Sequence, residues 1–344
     1  MTTIIAALIF FSVIIMIHEL GHFLAAKAVG IHAEEFSIGM GPRLLKIPGK
    51  KTEYSIRALP IGGYVRFLGE DEASSDPRAF TNAKVWKRMA VIIAGPLMNM
   101  LLAVLLLAIA YMSFGLYEAD MPIIGDVIPG YPAQQVGLQP GDRIIQVGDL
   151  DVSGMEDSEA VESIRNFINQ NGAKPFTITV DRDGQTLKYD VIPTHDKENN
   201  RYQIGFYFKQ NIRKVGLLES IGLSFVQTFR IIGLMVAMLK DLIFAGKGIG
   251  DVMGPVGIVS EIGKAAQAGI QQLINLGILI TINLGIMNLI PFPALDGGRL
   301  VLLIIEGLRG KPLDRNKEGY FHLIGFVLLM ILMIIVTYKD IIKI

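Results

Sequence analysis

Four stretches of this chain are apolar over the roughly 20 residues that a helix needs to cross a hydrocarbon layer of about 30 Å. They are Ile4–Ala26, Met89–Gly115, Leu273–Ile290 and Phe321–Tyr338. Hydrocarbon offers no partner to an unpaired backbone group, so such runs must be helical. The expected fold is therefore a polytopic α-helical membrane protein with four transmembrane helices. A fifth run, Leu217–Phe244, carries Glu219, Arg230, Lys240 and Asp241 at intervals and is expected to lie at the interface as an amphipathic helix. Composition agrees, with 51% hydrophobic and 19% charged residues. The formal net charge of zero gives no global electrostatic case for a nucleic-acid partner. The start, Met1-Thr2-Thr3, lacks the basic region of a signal peptide, so the first run is expected to be a retained span.

Basic residues set the orientation. The connection between the first two spans holds Lys27, Arg43, Lys46, Lys50, Lys51 and Arg57 among others, and the later stretch Arg299–Lys317 holds Arg309, Lys311 and Arg315. Positive loops favour the cytoplasm. The N-terminus and the region between the second and third spans are then extracytoplasmic, and a fifth crossing would put one basic loop on the wrong side.

Four segments follow in order. Residues 1–115 hold the first two spans and a cytoplasmic β-hairpin region. Residues 116–195 form an extracytoplasmic domain, with strands expected at Ile123–Ile124, Arg143–Val147 and Phe176–Val180 and a helix at Ser158–Ile168. Residues 196–272 hold a strand near Tyr202–Phe208, the interfacial helix and a glycine-rich loop, Gly246–Gly257. Residues 273–344 hold the last two spans.

His18-Glu19-Leu20-Gly21-His22 places two imidazoles at i and i+4 on one helix face, with a glutamate beside them. That arrangement suits one zinc ion with a general base at its side. Three ionisable groups inside a span cost at least about 2.5–3.5 kcal/mol each on insertion scales, which argues for a role. With no cysteine in the chain, a third ligand must be His, Asp or Glu. Asn288-Leu289-Ile290-Pro291-Phe292-Pro293-Ala294-Leu295-Asp296-Gly297-Gly298 offers Asp296 at the broken end of the third span, where glycines permit a tight turn. Asn288 would either bond a substrate backbone or pack between helices, and Asn99 is expected to pack. Gly95-Pro96 is expected to permit a kink or a close helix approach. His32, His195 and His322 have no neighbour at ligand spacing and are expected to be surface or interface residues.

These motifs together resemble the site-2 protease family of intramembrane zinc metalloproteases, most closely the bacterial regulator-of-sigma-E type. The resemblance rests on the His-Glu-x-x-His motif and Leu295-Asp296-Gly297. It extends to Gly62-Gly63-Tyr64-Val65 with Leu68-Gly69-Glu70, to Gly95-Pro96 with Asn99, and to Gly254-Pro255-Val256-Gly257. It implies His18, His22 and Asp296 as ligands of one zinc ion per chain and Glu19 as catalytic acid/base. It also implies a membrane-associated β-hairpin over Glu53–Phe67, turning at Pro60-Ile61-Gly62-Gly63, whose edge at Gly63, Tyr64 and Val65 would pair with an unwound substrate. Gly130–Ile144 looks like the start of a single inserted α+β PDZ-like domain, able to take a peptide ligand by strand addition. The implied partners are single-span membrane proteins and the lipid bilayer, with anti-sigma factors or remnant signal peptides as substrates. The implied location is the bacterial inner membrane, with the zinc site near the cytoplasmic side. A non-catalytic PDZ-bearing scaffold with a structural metal site is the alternative, and a metal transporter a further one. Glu19 argues against the scaffold, because a structural site takes four protein ligands and needs no base.

Overall fold

The computed structural model describes residues 2–70, 72, 74–196, 201–246 and 252–343. Two compact units emerge, one formed by residues 1–113 with 216–344 and the other by residues 114–215.

The first unit begins with α1 (Thr2–Val29), which Gly30 ends in the left-handed region. Two long strands follow, β1 (Ala33–Pro48) and β2 (Glu53–Phe67), and then α2 (Val85–Phe114). The second unit carries β3 (Leu116–Val127), α3 (Pro132–Val136), β4 (Arg143–Val147), β5 (Leu150–Asp151) and α4 (Asp157–Asn171). It continues with β6 (Phe176–Arg182), β7 (Gln185–Val191), β8 (Thr194–Asp196), β9 (Arg201–Gln203) and β10 (Phe206–Arg213). The chain then returns to the first unit with α5 (Leu217–Ala245), α6 (Pro255–Ala268), α7 (Ile270–Leu289), α8 (Asp296–Arg309) and α9 (Arg315–Lys343).

Five helices among the described residues are long and apolar enough to cross a membrane: α1, α2, α5, α7 and α9. The fifth candidate is α5, the helix whose spaced charges point to an interfacial position. Its first half buries Ser220, Ser224 and Thr228 at helical spacing, its second half packs Ile231, Ile232, Met235 and Leu239 on the apolar cluster of α2 and α7, and Leu218, Val226, Phe229 and Met238 are exposed.

The β region differs from the expected hairpin. Glu53–Ile56 and Gly63–Phe67 do not pair with each other, because the first half of β1 lies between them. Ala33–Ile38 pairs with Gly63–Phe67 on one side, and Glu35–Ile38 pairs with Glu53–Ile56 on the other. The second half of β1 folds back to pair again with Glu53–Arg57. Gly39, Gly41 and Gly62, all at positive φ, make these bends. Gly63–Phe67 is thereby left as an edge. Glu35 anchors this sheet from within: its buried carboxylate accepts from Ser55 Oγ at 2.6 Å and pairs with Arg57 at 2.9 Å. Phe23, Phe36, Phe67, Phe80 and Val91 close the core between α1, α2 and the sheet.

The segment expected as a glycine-rich loop is partly helical. Residues 247–251 lie outside the described set, and Pro255 opens α6, as proline can at a first helical position. Likewise the basic stretch after Asp296 is a 14-residue helix, α8, tied to α2 by a buried ion pair between Glu306 and Arg88.

The second unit is an antiparallel sheet in the order β10-β3-β4-β6-β7, with β5 beside β4. The apolar face of α4, with Ala160, Val161, Ile164 and Ile168, contributes to its core alongside Ile124, Ile144, Val147, Ile178 and Val180. Asp142, fully buried, accepts from Arg182 Nε at 2.6 Å. Residues 196–215, expected beyond this domain, belong to the same unit through β10 on β3. β8 and β9 form a separate pair of strands.

Candidate metal centre

Helix α1 supplies His18, Glu19 and His22 on one face, and the break after α7 supplies Asp296. The three ligand-type residues converge although the aspartate lies 278 residues from His18. His18 Nε2 stands 3.1 Å from Asp296 Oδ2 and 3.1 Å from His22 Nε2, and His22 Nε2 stands 3.4 Å from the same carboxylate oxygen. Both imidazoles are buried, and no other group of three such residues comes within ligand range among the described residues.

The ring tautomers point to a cation. His22 Nδ1–H donates to the Val91 carbonyl at 2.8 Å, so the neutral ring presents Nε2 as an acceptor to His18 Nε2 and Asp296 Oδ2. Ligand atoms about 2.0–2.2 Å from a tetrahedral zinc sit about 3.3–3.6 Å from one another, and the separations here are 3.1–3.4 Å. Asn99 is fully buried with its amide nitrogen 3.3 Å from His18 Nδ1, and its Oδ1 has no partner. If His18 Nε2 is committed to a metal, Nδ1 carries the proton. The Asn99 amide turned over then presents Oδ1 to that N–H and satisfies both groups. Thr281 Oγ1–H donates to the Asn99 carbonyl at 3.2 Å and links α7 to this point of α2. Asn99, expected to pack, thus adjoins the His18 imidazole. Its sequence signal was an amide in mid-span, and which way α2 faces was not readable from the sequence.

Two glycines make room for the rings. A Cβ on Gly95 would lie 2.3 Å from His22 Nε2 and 2.9 Å from His18 Cε1, so the close approach expected at Gly95-Pro96 is one of backbone to imidazole. A Cβ on Gly21 would lie 2.3 Å from the Ala94 carbonyl oxygen, so α1 and α2 pack backbone to backbone.

The turn before Asp296 is built differently from the expectation. Gly297 and Gly298 are not at positive φ; they let the first turn of α8 press on the Ile290 and Phe292 carbonyls, where a Cβ would come within 2.2 and 2.3 Å. The left-handed residue is Ala294, at φ 74°.

A cavity of about 410 Å³ opens on this cluster, lined by Glu19, Tyr64, Val65 and Asn288 as well as the three ligand-type residues. Gly63 is buried at its margin, and a Cβ there would be 2.5 Å from the Ser37 carbonyl oxygen and 3.8 Å from Glu19 Cγ. The β2 edge therefore runs alongside the glutamate. Arg299 spans the wall, donating to Glu70 Oε1 at 2.6 Å, while Glu70 Oε2 accepts from the Phe67 backbone N–H. The sequence reading cited Glu70 only as a motif match and did not single out Arg299. Of the other histidines, His195 stacks edge-on to Tyr202 and His322 faces the turn before Asp296.

Comparison with known proteins places this geometry in context. The family model described as Peptidase family M50 matches residues 6–332. A protein of Clostridium acetobutylicum named as a candidate zinc metalloprotease is 41% identical over 98% of this chain and 97% of its own length. The protein named Zinc metalloprotease RasP from Geobacillus kaustophilus is 32% identical over 99% of this chain and 98% of that one. Among solved structures, the PDZ domain of an SdrC-like protein from Listeria monocytogenes aligns with 26% of this chain and 90% of that chain, at 19% identity and a TM-score of 0.22.

Proposed function

This chain belongs to peptidase family M50, the family of the site-2 proteases, and is an intramembrane zinc metalloprotease; we propose that His18, His22 and Asp296 hold its zinc and that Glu19 moves the proton. The observation that carries this reading is the convergence of three acceptor atoms from α1 and α8 beside a glutamate, inside a cavity edged by the outermost strand of the sheet.

Zinc held there lowers the pKa of the water it binds and polarises a carbonyl. The chain's own residues do the rest. Val91 and Asn99 hold the two rings so that both Nε2 atoms face the same point. Glu19, lining the cavity next to them, takes the proton of the attacking water and returns one to the leaving amine. The structural-site alternative fares worse, since three protein ligands leave a position for water.

The substrate proposed is a transmembrane segment of a single-span membrane protein. A helical peptide bond is sheltered by its own hydrogen bonds and must be extended before attack. Gly63, Tyr64 and Val65 lie on the outer edge of the sheet, where the Val65 backbone meets the Glu19 carboxylate, and strand addition there would replace the lost helical bonds. Asn288 lines the cavity from α7 and would fix a backbone group of the same substrate.

The topology proposed has four spans, α1, α2, α7 and α9, with α5 along the interface. Support comes from the basic residues of both expected cytoplasmic connections, which an additional crossing would separate. The N-terminus and the inserted unit are then extracytoplasmic in a bacterial inner membrane, and the zinc site lies near the cytoplasmic side. The inserted unit is proposed to be PDZ-like, binding a peptide or refusing substrates with bulky external domains.

The test uses purified protein in detergent and a model single-span substrate, with and without a zinc chelator, beside Glu19→Gln. Chelation should abolish cleavage, and Glu19→Gln should keep stoichiometric zinc yet cut nothing. Cleavage by Glu19→Gln near the wild-type rate would remove Glu19 from the mechanism.

A further inference from the structure

His322 on α9 is the one histidine near the site that the chemistry above does not use, and we infer that it is a positioning residue for Asp296. Its Nδ1 accepts a hydrogen bond from the Ala294 backbone N–H at 3.1 Å and holds the left-handed turn that delivers the aspartate to His18 and His22. The inference rests on the proposal that Asp296 is a zinc ligand.

Ala294 is one of two non-glycine residues at positive φ among the described residues, and its side chain makes that conformation unfavourable. Such a residue persists only where its surroundings hold it. Within the turn, Phe292 N–H donates to Ile290 O and Leu295 N–H to Phe292 O, and the first turn of α8 presses on the Ile290 and Phe292 carbonyls. Those contacts clamp the loop against its own helix but leave the Ala294 N–H to find a partner elsewhere. That partner comes from α9.

The approach of α9 is close by design of its sequence. Gly325, three residues beyond His322 and buried, sits where a Cβ would lie 2.2 Å from Pro293 Cβ and 2.3 Å from its carbonyl oxygen. Residues three apart share a helix face. Gly325 thus lets α9 reach Pro293, and His322 on the same face reaches the next residue. Because Nδ1 accepts, the proton of the neutral ring is on Nε2, which has no hydrogen-bond partner; the nearest carboxylate oxygen, on Glu318, is 3.9 Å away. The ring is therefore used through one atom only. If Ala294 relaxed to negative φ, the chain direction would change two residues before a ligand that must be placed within about 0.5 Å.

The experiment follows from that single-atom use. The asparagine side-chain oxygen falls where Nδ1 sits, whereas the glutamine oxygen falls one bond farther out. Zinc dissociation constants are measured by chelator competition on full-length His322→Asn, His322→Gln, His322→Leu and Asp296→Ala in detergent, with melting temperatures on the same samples. His322→Asn should bind zinc within about threefold of wild type. His322→Gln and His322→Leu should bind at least about tenfold more weakly, the scale of lost support behind a metal ligand. Equal zinc affinity across the three His322 variants overturns the inference, and the Asn–Gln pair decides it even if the leucine variant does not fold. Asp296→Ala separates the two levels: undiminished zinc binding there would remove the ligand assignment itself. Loss of zinc in Asp296→Ala with no Asn–Gln difference would remove only the role of His322.

Discussion

Replacing Gly95 with alanine sets helix propensity against metal geometry. Alanine is favoured over glycine in a helix interior by about 1 kcal/mol, so α2 alone would gain from the change. The added Cβ, however, would lie 2.3 Å from His22 Nε2, 2.5 Å from its Cε1 and 2.9 Å from His18 Cε1. Real Cβ contacts are essentially never under 3.0 Å, so the His22 ring must retreat by at least about 0.7 Å. It cannot do so freely, because its Nδ1–H is held by the Val91 carbonyl at 2.8 Å on the same helix as Gly95. A shift of that size exceeds the tolerance of a catalytic constellation, and a misplacement of about 1 Å costs roughly a hundredfold in rate. Gly95→Ala should therefore lower zinc affinity by about tenfold or more and cleavage by about a hundredfold, with an unchanged or higher melting temperature for the metal-free protein. Chelator competition, cleavage of a single-span substrate and thermal unfolding on one preparation supply the three readings. Wild-type zinc affinity and wild-type cleavage together would refute the placement of the imidazoles against α2.

Other outcomes follow from neighbouring features. Asn99→Leu removes the acceptor proposed for His18 Nδ1–H and should weaken zinc by about 10–100-fold, read by the same competition; unchanged affinity would mean that Asn99 only packs. Burial opposes ionisation of Glu35, but hydrogen bonds from Ser55, Arg57 and Tyr64 outweigh it and hold the carboxyl at about 2, below its ordinary 4.5. A depressed carboxylate stabilises the fold fully above its unfolded value. The stability advantage of wild type over Glu35→Gln should therefore be constant above pH 5 and shrink between pH 4.5 and pH 2, by up to about 3 kcal/mol. A gap in melting temperature that does not narrow with acid would contradict this. Reporter fusions after Lys50 and after Lys311 should report cytoplasm and one after Gly184 the outside; an external signal at Lys50 would invert the topology.

Much of the site was legible because its chemistry is written in short spacings. His18 and His22 need only a helix to share a face, and Asp296 sits where two prolines force a break. The rest depends on contacts that no local pattern encodes. That Asn99 meets His18 is set by the rotation of α2 about its axis. That His322 meets Ala294 is set by a glycine three residues further along α9, pressed on Pro293. The β region was legible as extended chain bent at Pro60-Ile61-Gly62-Gly63, but the partner of each strand was not. Ala33–Ile38 precedes the expected hairpin and inserts between its arms, a non-local pairing with no signature in the 53–67 segment. Helices α6 and α8 were missed because glycines in one and basic residues in the other resemble loop composition. The apolar positions Leu300 and Leu303, three apart on the packed face of α8, were the available signal.

The separation of His18 from Asp296 along the chain also has a consequence for biosynthesis. His18 and His22 are synthesised on one helix, and Asp296, the third proposed ligand, follows 278 residues after His18. At about 5–20 residues per second, that interval lasts roughly 15–55 seconds. Throughout it, α1 is already made, yet it holds only two of the three proposed ligands. The proposed metal site thus stays open while α2 and the inserted unit are being made, and closes only once the first turn of α8 exists.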